Sequence, residues 1–143
     1  MGRVSRLFMT GVVLAVAMLI AAFTANAQTR GAAAPAAKTM KNPVASTPAS
    51  ITAGAATYKK YCAFCHGVTG KGDGPLAPKG STPADLTDAK WDHGSTDGEI
   101  FTLVQNGVGG DSKMVAFKGK IPDPDLWNVV NFVRSLGPKD AKR

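Results

Sequence analysis

Two cysteines and a histidine stand together at Cys62-Ala63-Phe64-Cys65-His66, and the chain has no other cysteine. On a helical turn, thiols three residues apart share one face. Both can then add to the two vinyl groups along one porphyrin edge. His66, four residues from Cys62, projects from the same face toward the ring centre, where its imidazole can bind iron. Cys-x-x-Cys-His is the attachment sequence of a c-type haem, so five residues specify a covalently held cofactor, its orientation and its proximal ligand. Three other readings each lack something. Zinc needs a second cysteine pair, and a thioredoxin-like redox site needs alternating strands and helices around the motif. A structural disulfide between Cys62 and Cys65 closes a small, strained ring.

A second axial ligand must come from elsewhere in the chain. Of five methionines, Met1, Met9 and Met18 fall in an apolar leader and Met40 in a polar linker, which leaves Met114 alone in the remainder. It follows His66 by a stretch long enough to cross a haem. A thioether there favours ferrous iron and raises the reduction potential. The competing reading is a gap-filling core methionine; position and uniqueness favour the ligand. His93, the only other histidine, is also a candidate, although its polar neighbours Asp92 and Gly94 suit a solvated loop.

The elements that must position these residues are legible in outline. Residues 1–27 carry Arg3 and Arg6, an apolar run from Leu7 to Phe23, and Ala25-Asn26-Ala27, the pattern of a cleavable secretory signal. An uncleaved anchor is the alternative, since the run approaches the length of a short span. Residues 28–50, rich in Ala, Pro, Thr and Lys without apolar periodicity, read as a flexible tether. The folded domain is expected over 51–138, with 139–143 as a tail. A first helix over 51–61, capped by Ser50 or Thr52, leads into the motif. The glycines and prolines from Gly67 to Pro83 predict a loop that wraps the proximal side, a carbonyl near Pro75 or Pro78 accepting the His66 ring N–H. One helical turn is expected within Pro83–Asp88, and Trp91 near the porphyrin. Thr96-Asp97-Gly98-Glu99 fits a capping box that starts a helix bearing Ile100, Leu103 and Val104 and stopped by Gly107. The last helix starts at Asp123-Pro124, with Asp123 as the cap, and stops at Gly137-Pro138. Leu126, Val129, Val130, Val133 and Leu136 line one of its faces.

The formal charge of +7 falls to +5 once Arg3 and Arg6 leave with the leader. The basic residues are dispersed without aromatic interleaving, which argues against nucleic acid. A mildly basic surface suits encounter with an acidic protein partner.

Taken in order, the marks resemble the class I c-type cytochromes, in particular small monohaem periplasmic domains of Gram-negative bacteria. They are Gly54-x-x-x-Tyr58-x-x-x-Cys62-x-x-Cys65-His66-Gly67, Gly72-Asp73-Gly74-Pro75, Pro83-Ala84-Asp85-Leu86, Asp97-Gly98-Glu99-Ile100-Phe101, Asn106-Gly107, Met114-Val115-Ala116-Phe117 and Leu126 through Leu136. The resemblance implies an all-α fold whose first and last helices cross beside one covalently bound haem c. It implies that His66 and Met114 are the axial ligands and that Phe132 packs on Gly54 or Tyr58. Where that family usually has proline after the ligand methionine, this chain has Val115, which makes the loop less preorganised.

The expected function is that of an exported, periplasmic electron carrier. Cys62 and Cys65 attach the haem, His66 and Met114 hold the iron, and no substrate is transformed. Its expected partners are redox proteins, an electron donor and an acceptor such as a dehydrogenase or terminal oxidase, with no membrane span after signal cleavage. A third reading, still electron transfer but with a fixed partner, is a subunit of a larger oxidoreductase complex. Lys71, Lys113 and Lys118 would bias encounters. The alternative is a haem-based enzyme or gas-binding module in which Met114 is displaced. Such chemistry wants a distal acid or base, and the Met114 loop offers Asp111, Lys113 and Lys118 but neither histidine nor arginine.

Overall fold

Leu126, Val129, Val130 and Val133 recur at the spacing of one helical face, and this stripe is the centre of the fold. The computed structural model describes residues 35–109 and 112–138; the predicted leader, the start of the predicted tether, Asp111 and the tail 139–143 lie outside them. Five helices follow one another among the described residues: α1 Pro35–Thr39, α2 Pro48–Tyr61, α3 Ala63–His66, α4 Asp97–Asn106 and α5 Asp123–Leu136. No strand occurs among those residues, in keeping with the expected all-α class.

The most extensive helix pairing is α2 with α5. Gly54 of α2 is buried against the backbone of Asn128, and the rings of Tyr58 and Phe132 meet at 5.0 Å. The contact expected of the first and last helices is therefore present. Leu126 and Val130 are fully buried, each worth roughly 1.5–3 kcal/mol of transfer free energy. Around them Phe101 stacks on Trp127 at 3.9 Å, with Ile100, Val104 and Ile121 alongside. A second cluster joins Tyr58 and Ala63 to Val129 and Val133, and Trp91 packs against both clusters.

The tether reading fails from residue 35 onward. Ala37 is 2% exposed in α1, and its carbonyl lies against Gly98 of α4. Asn42 Nδ2 donates to the Trp127 carbonyl and to Asn131 Oδ1, while Asn131 Nδ2 returns to the carbonyl of Val44 and to Ser50 Oγ. What holds the segment is thus a set of side-chain amides rather than apolar periodicity, each bond contributing about 1 kcal/mol. The first helix accordingly starts earlier than expected. Thr47 is the N-cap, accepting from the Ser50 N–H, and Pro48 presets the first turn. The Ser50 hydroxyl is engaged with Asn128 Oδ1 at 2.6 Å.

Two further local expectations change. Pro83–Asp88 forms bends without a helical turn, because Asp85 Oδ1 accepts from both Thr87 N–H and Thr87 Oγ1 and the Leu86 N–H donates to the Gly70 carbonyl. Asp123 sits inside α5 and Pro122 takes the cap position, with no side-chain cap bond. Its carboxylate accepts from Gln105 Nε2 at 2.7 Å instead, which ties α5 to the end of α4. Gly137 ends α5 in an extended conformation, φ −81°, that any residue adopts.

The capping box of α4 is as expected. Thr96 Oγ1 accepts from the Glu99 N–H, and Glu99 Oε2 accepts from the N–H groups of Thr96 and Ser95. The Thr96 backbone N–H foremost holds the Glu99 carboxyl below its usual range near 4.5, against the opposing effect of burial. A depressed carboxyl pKa means that the unfolded chain binds the proton first as pH falls. Its stabilisation is present above about 4.5 and is lost as pH drops through the folded value. Glu99→Gln is expected to lower stability near neutrality by about 1 kcal/mol and to flatten the acid side of the profile. Thermal unfolding measured across pH 3 to 7 checks both.

Candidate functional site

Helix α2 delivers the motif and then breaks. Cys62, at φ −115° and ψ −37°, caps α2 and opens α3, so Cys65 and His66 lie on a separate helical turn. Tyr58 Oη donates to the Gly67 carbonyl at 2.8 Å and fixes the end of that turn to α2. No disulfide joins Cys62 to Cys65, so both sulfurs are available for attachment.

The glycine-rich loop folds back on the motif's own carbonyls. Gly72 N–H donates to His66 O, Gly74 N–H to Cys65 O and Leu76 N–H to Phe64 O. A Cβ at Gly74 would meet Phe64 O at 2.4 Å, so only glycine lets the loop lie this close. Pro75 stands between two residues, Gly74 and Leu76, whose N–H groups are bonded to the motif's carbonyls. The partner of the His66 ring is the Ala84 carbonyl, 3.2 Å from Nδ1, which corrects the expectation of a carbonyl near Pro75 or Pro78. Since a carbonyl only accepts, the ring proton belongs on Nδ1 and the lone pair on Nε2. Burial lowers the His66 pKa, the Ala84 bond opposing it, and this favours the neutral ring that a metal requires.

Cys62, Cys65 and His66 line a cavity of about 440 Å³ together with Met114, Trp91 and His93. Its apolar wall includes Ile100, Leu103, Val104, Val129 and Val133, from α4 and α5. Met114, 48 positions after His66, therefore reaches the same space. Its loop is held despite Val115 in place of proline. Val108 N–H donates to Met114 O at 3.2 Å, Phe117 N–H to Val104 O at 3.1 Å and Lys118 N–H to Gln105 O at 3.0 Å. His93 is exposed at the cavity wall. Its neighbours Lys90 and Asp92 form a solvent-exposed ion pair at 3.1 Å, a contact worth little.

Does this site suit a haem? Its donors do: two thiols and a neutral imidazole in one largely apolar cavity, with a thioether available. A second sign was not foreseen from the sequence. Trp91 Nε1 and Arg134 Nη1 are both buried without an acceptor, and the Arg134 guanidinium lies 5.3 Å over the Trp91 ring. Arg134 Nε is paired with Asp97 Oδ1 at 2.8 Å, and Nη2 donates to the Ser95 carbonyl. Two buried N–H donors without an acceptor, one of them on Trp91 at the cavity wall, suit an acidic group, which the carboxylates of a haem would supply. Sequence patterning flagged Trp91 only as an apolar neighbour, and Arg134 carried no signal beyond being a polar residue in an apolar helix.

With this geometry established, comparison with known proteins is decisive. The family model for cytochrome c oxidase, cbb3-type, subunit III matches residues 49–133, more than half of the chain. The chain belongs to this family. It is a cytochrome c domain and carries covalently bound haem c, with Cys62 and Cys65 at the required spacing. Among solved structures, this domain is similar to a chain of the reducing HAO-like protein complex of Kuenenia stuttgartiensis, at 30% identity and TM-score 0.62, over 67% of this chain and 47% of that one. It also shares its fold with cytochrome CL of the marine methylotroph Methylophaga aminisulfidivorans, at 21% identity and TM-score 0.56, over 67% of this chain and 63% of that one. The chain thus spans about half the length of the first and under two thirds of the second.

Proposed function

We propose that this cytochrome c domain carries single electrons between protein partners outside the cytoplasm, Cys62 and Cys65 attaching the haem and His66 and Met114 holding its iron. The observation that carries the reading is that Met114, distant in the chain, lines the same cavity as both thiols and the His66 ring. The haem, when bound, supplies one-electron exchange between ferric and ferrous iron. The chain's own residues keep that exchange clean. Ala84 O fixes the His66 tautomer, the backbone bonds of Val108 and Phe117 hold the Met114 loop, and the apolar wall from α4 and α5 excludes water.

Encounter with a partner is expected beside the motif. Phe64 and Leu76 are 50% and 65% exposed and are joined by a backbone hydrogen bond, so apolar surface flanks the thiol edge. Lys71, Lys113 and Lys118 are exposed and would steer an acidic partner. The signal-like pattern of residues 1–27 supports a periplasmic location. The redox complex among the similar structures is compatible with a fixed donor or acceptor as well as a free one. Among the described residues no helix is long and apolar enough to cross a membrane.

The test is the visible spectrum of the purified ferric protein. A weak near-red band from methionine sulfur on low-spin iron is the expected result. A high-spin spectrum lacking it would move the assignment to an open site that binds small ligands. A low-spin spectrum lacking it would move it to His93 or a lysine.

A further inference from the structure

The geometry points to Gly107 as the positioning residue for the Met114 thioether, an inference that rests on Met114 being the distal ligand. Gly107 ends α4 at φ +71°, a conformation that by itself favours glycine. A helix stop, however, does not account for its surroundings. A Cβ placed on Gly107 would stand 2.7 Å from Met114 O, 2.9 Å from Ala116 N and 2.9 Å from the Val115 carbonyl carbon. All three are backbone atoms, which cannot rotate aside as a side chain would. The loop that carries Met114 is laid directly on the end of α4, and the missing side chain at 107 is what lets it lie there.

Gly119 separates the two roles. It has nearly the same φ, +76°, in the same part of the chain, yet a Cβ there would meet nothing within 4 Å. Alanine at 119 therefore incurs only the strain of a left-handed backbone. Alanine at 107 incurs the same strain and also drives the Met114 backbone outward. Ordinary contact begins near 3.4 Å, so relief at Met114 O, 2.7 Å away, requires a shift of about 0.7 Å, and metal–ligand distances tolerate only about 0.2 Å. One direct hold on this backbone, Val108 N–H to Met114 O, is adjacent to 107 and would be disturbed by the same shift. Gly107 thus supplies the preorganisation that a proline at 115 does not provide in this chain.

The experiment compares Gly107→Ala, Gly119→Ala and Met114→Ala in the haem-loaded protein, reading the near-red ferric band and the affinity for added imidazole. Gly119→Ala is expected to match the wild type in both. Gly107→Ala is expected to weaken the band and to bind imidazole about tenfold more tightly, with the haem still covalently attached. If Gly107→Ala matches Gly119→Ala while Met114→Ala loses the band, the positioning role is wrong and the ligand assignment stands. If Met114→Ala keeps the band, the ligand assignment has failed and this inference with it. Should Gly107→Ala not accumulate, Val108→Pro removes the N–H that holds Met114 O, and ψ 178° at Gly107 suits a following proline. Tighter imidazole binding by that variant supports the inference, and unchanged binding overturns it.

Discussion

Met114→Ala is expected to leave the haem bound through Cys62, Cys65 and His66 while lowering the reduction potential and opening the iron to added ligands. A thioether stabilises ferrous iron relative to ferric, so its loss shifts the balance toward the oxidised state. Axial ligands span roughly 0.8 V across haem proteins, and a fall on the order of 0.1–0.3 V is the expected share for this exchange. The side chain also packs against the core cluster of Phe101 and Trp127. Truncating it should therefore cost about 1–3 kcal/mol of stability, less than a fully buried methionine would. Spectroelectrochemical titration reads the potential, and carbon monoxide or imidazole binding reads the open position. An unchanged potential together with unchanged ligand binding would dismiss Met114 as the axial group. His93, exposed at the wall of the same cavity, would then be the next residue to replace.

What the residues reveal in advance depends on how local the interaction is. Cys62, Cys65 and His66 are readable because five consecutive positions carry the whole attachment chemistry. The Thr96 and Glu99 capping box is readable because its partners lie three residues apart. Met114 could be singled out by elimination, since the other methionines fall outside the expected domain, and what the structure shows of it is its place on the cavity wall. Failures appear where a distant group takes over a local one. Asp123 has the right type and place for a cap, but Gln105, 18 positions earlier, claims its carboxylate. The stretch from 35 to 50 has the composition of a tether, yet Asn42 and Asn131, 89 positions apart, bind it to α5 through one pair of amides. Composition counts apolar residues and does not register an amide with a matching partner far along the chain. The Ala84 carbonyl is harder still, because a backbone acceptor has no side chain to announce it. The unsatisfied Trp91 and Arg134 donors became visible only once three elements had brought them together.

The stability of the whole arrangement turns on Gly54, and its replacement by alanine should invert a familiar rule. In an exposed helix interior, glycine to alanine stabilises by about 1 kcal/mol, because glycine loses more backbone entropy on folding. Gly54 is buried where α2 meets α5, and a Cβ there would stand 2.0 Å from Asn128 O, 2.5 Å from Asn128 C and 2.9 Å from Phe132 Cβ. No rotamer relieves a clash with a main-chain carbonyl, so α2 and α5 would have to separate. Separation would loosen the Tyr58 and Phe132 ring contact and the buried cluster of Val129 and Val133. Overpacking of this kind costs about 1–3 kcal/mol and sometimes more; contact with rigid backbone puts Gly54→Ala at or above the upper end. For a domain of this size that corresponds to a fall in Tm of roughly 10–20 °C. Ala53→Gly, on the exposed side of the same helix, supplies the comparison at about 1 kcal/mol. Calorimetry on both haem-loaded variants decides the matter, since a Gly54→Ala protein as stable as the wild type would mean that the helices do not approach this closely. The effect should also reach the haem. α2 leads directly to Cys62, and Tyr58 Oη holds the Gly67 carbonyl at the end of the motif, so a displaced α2 is expected to broaden the ferric spectrum before the domain unfolds.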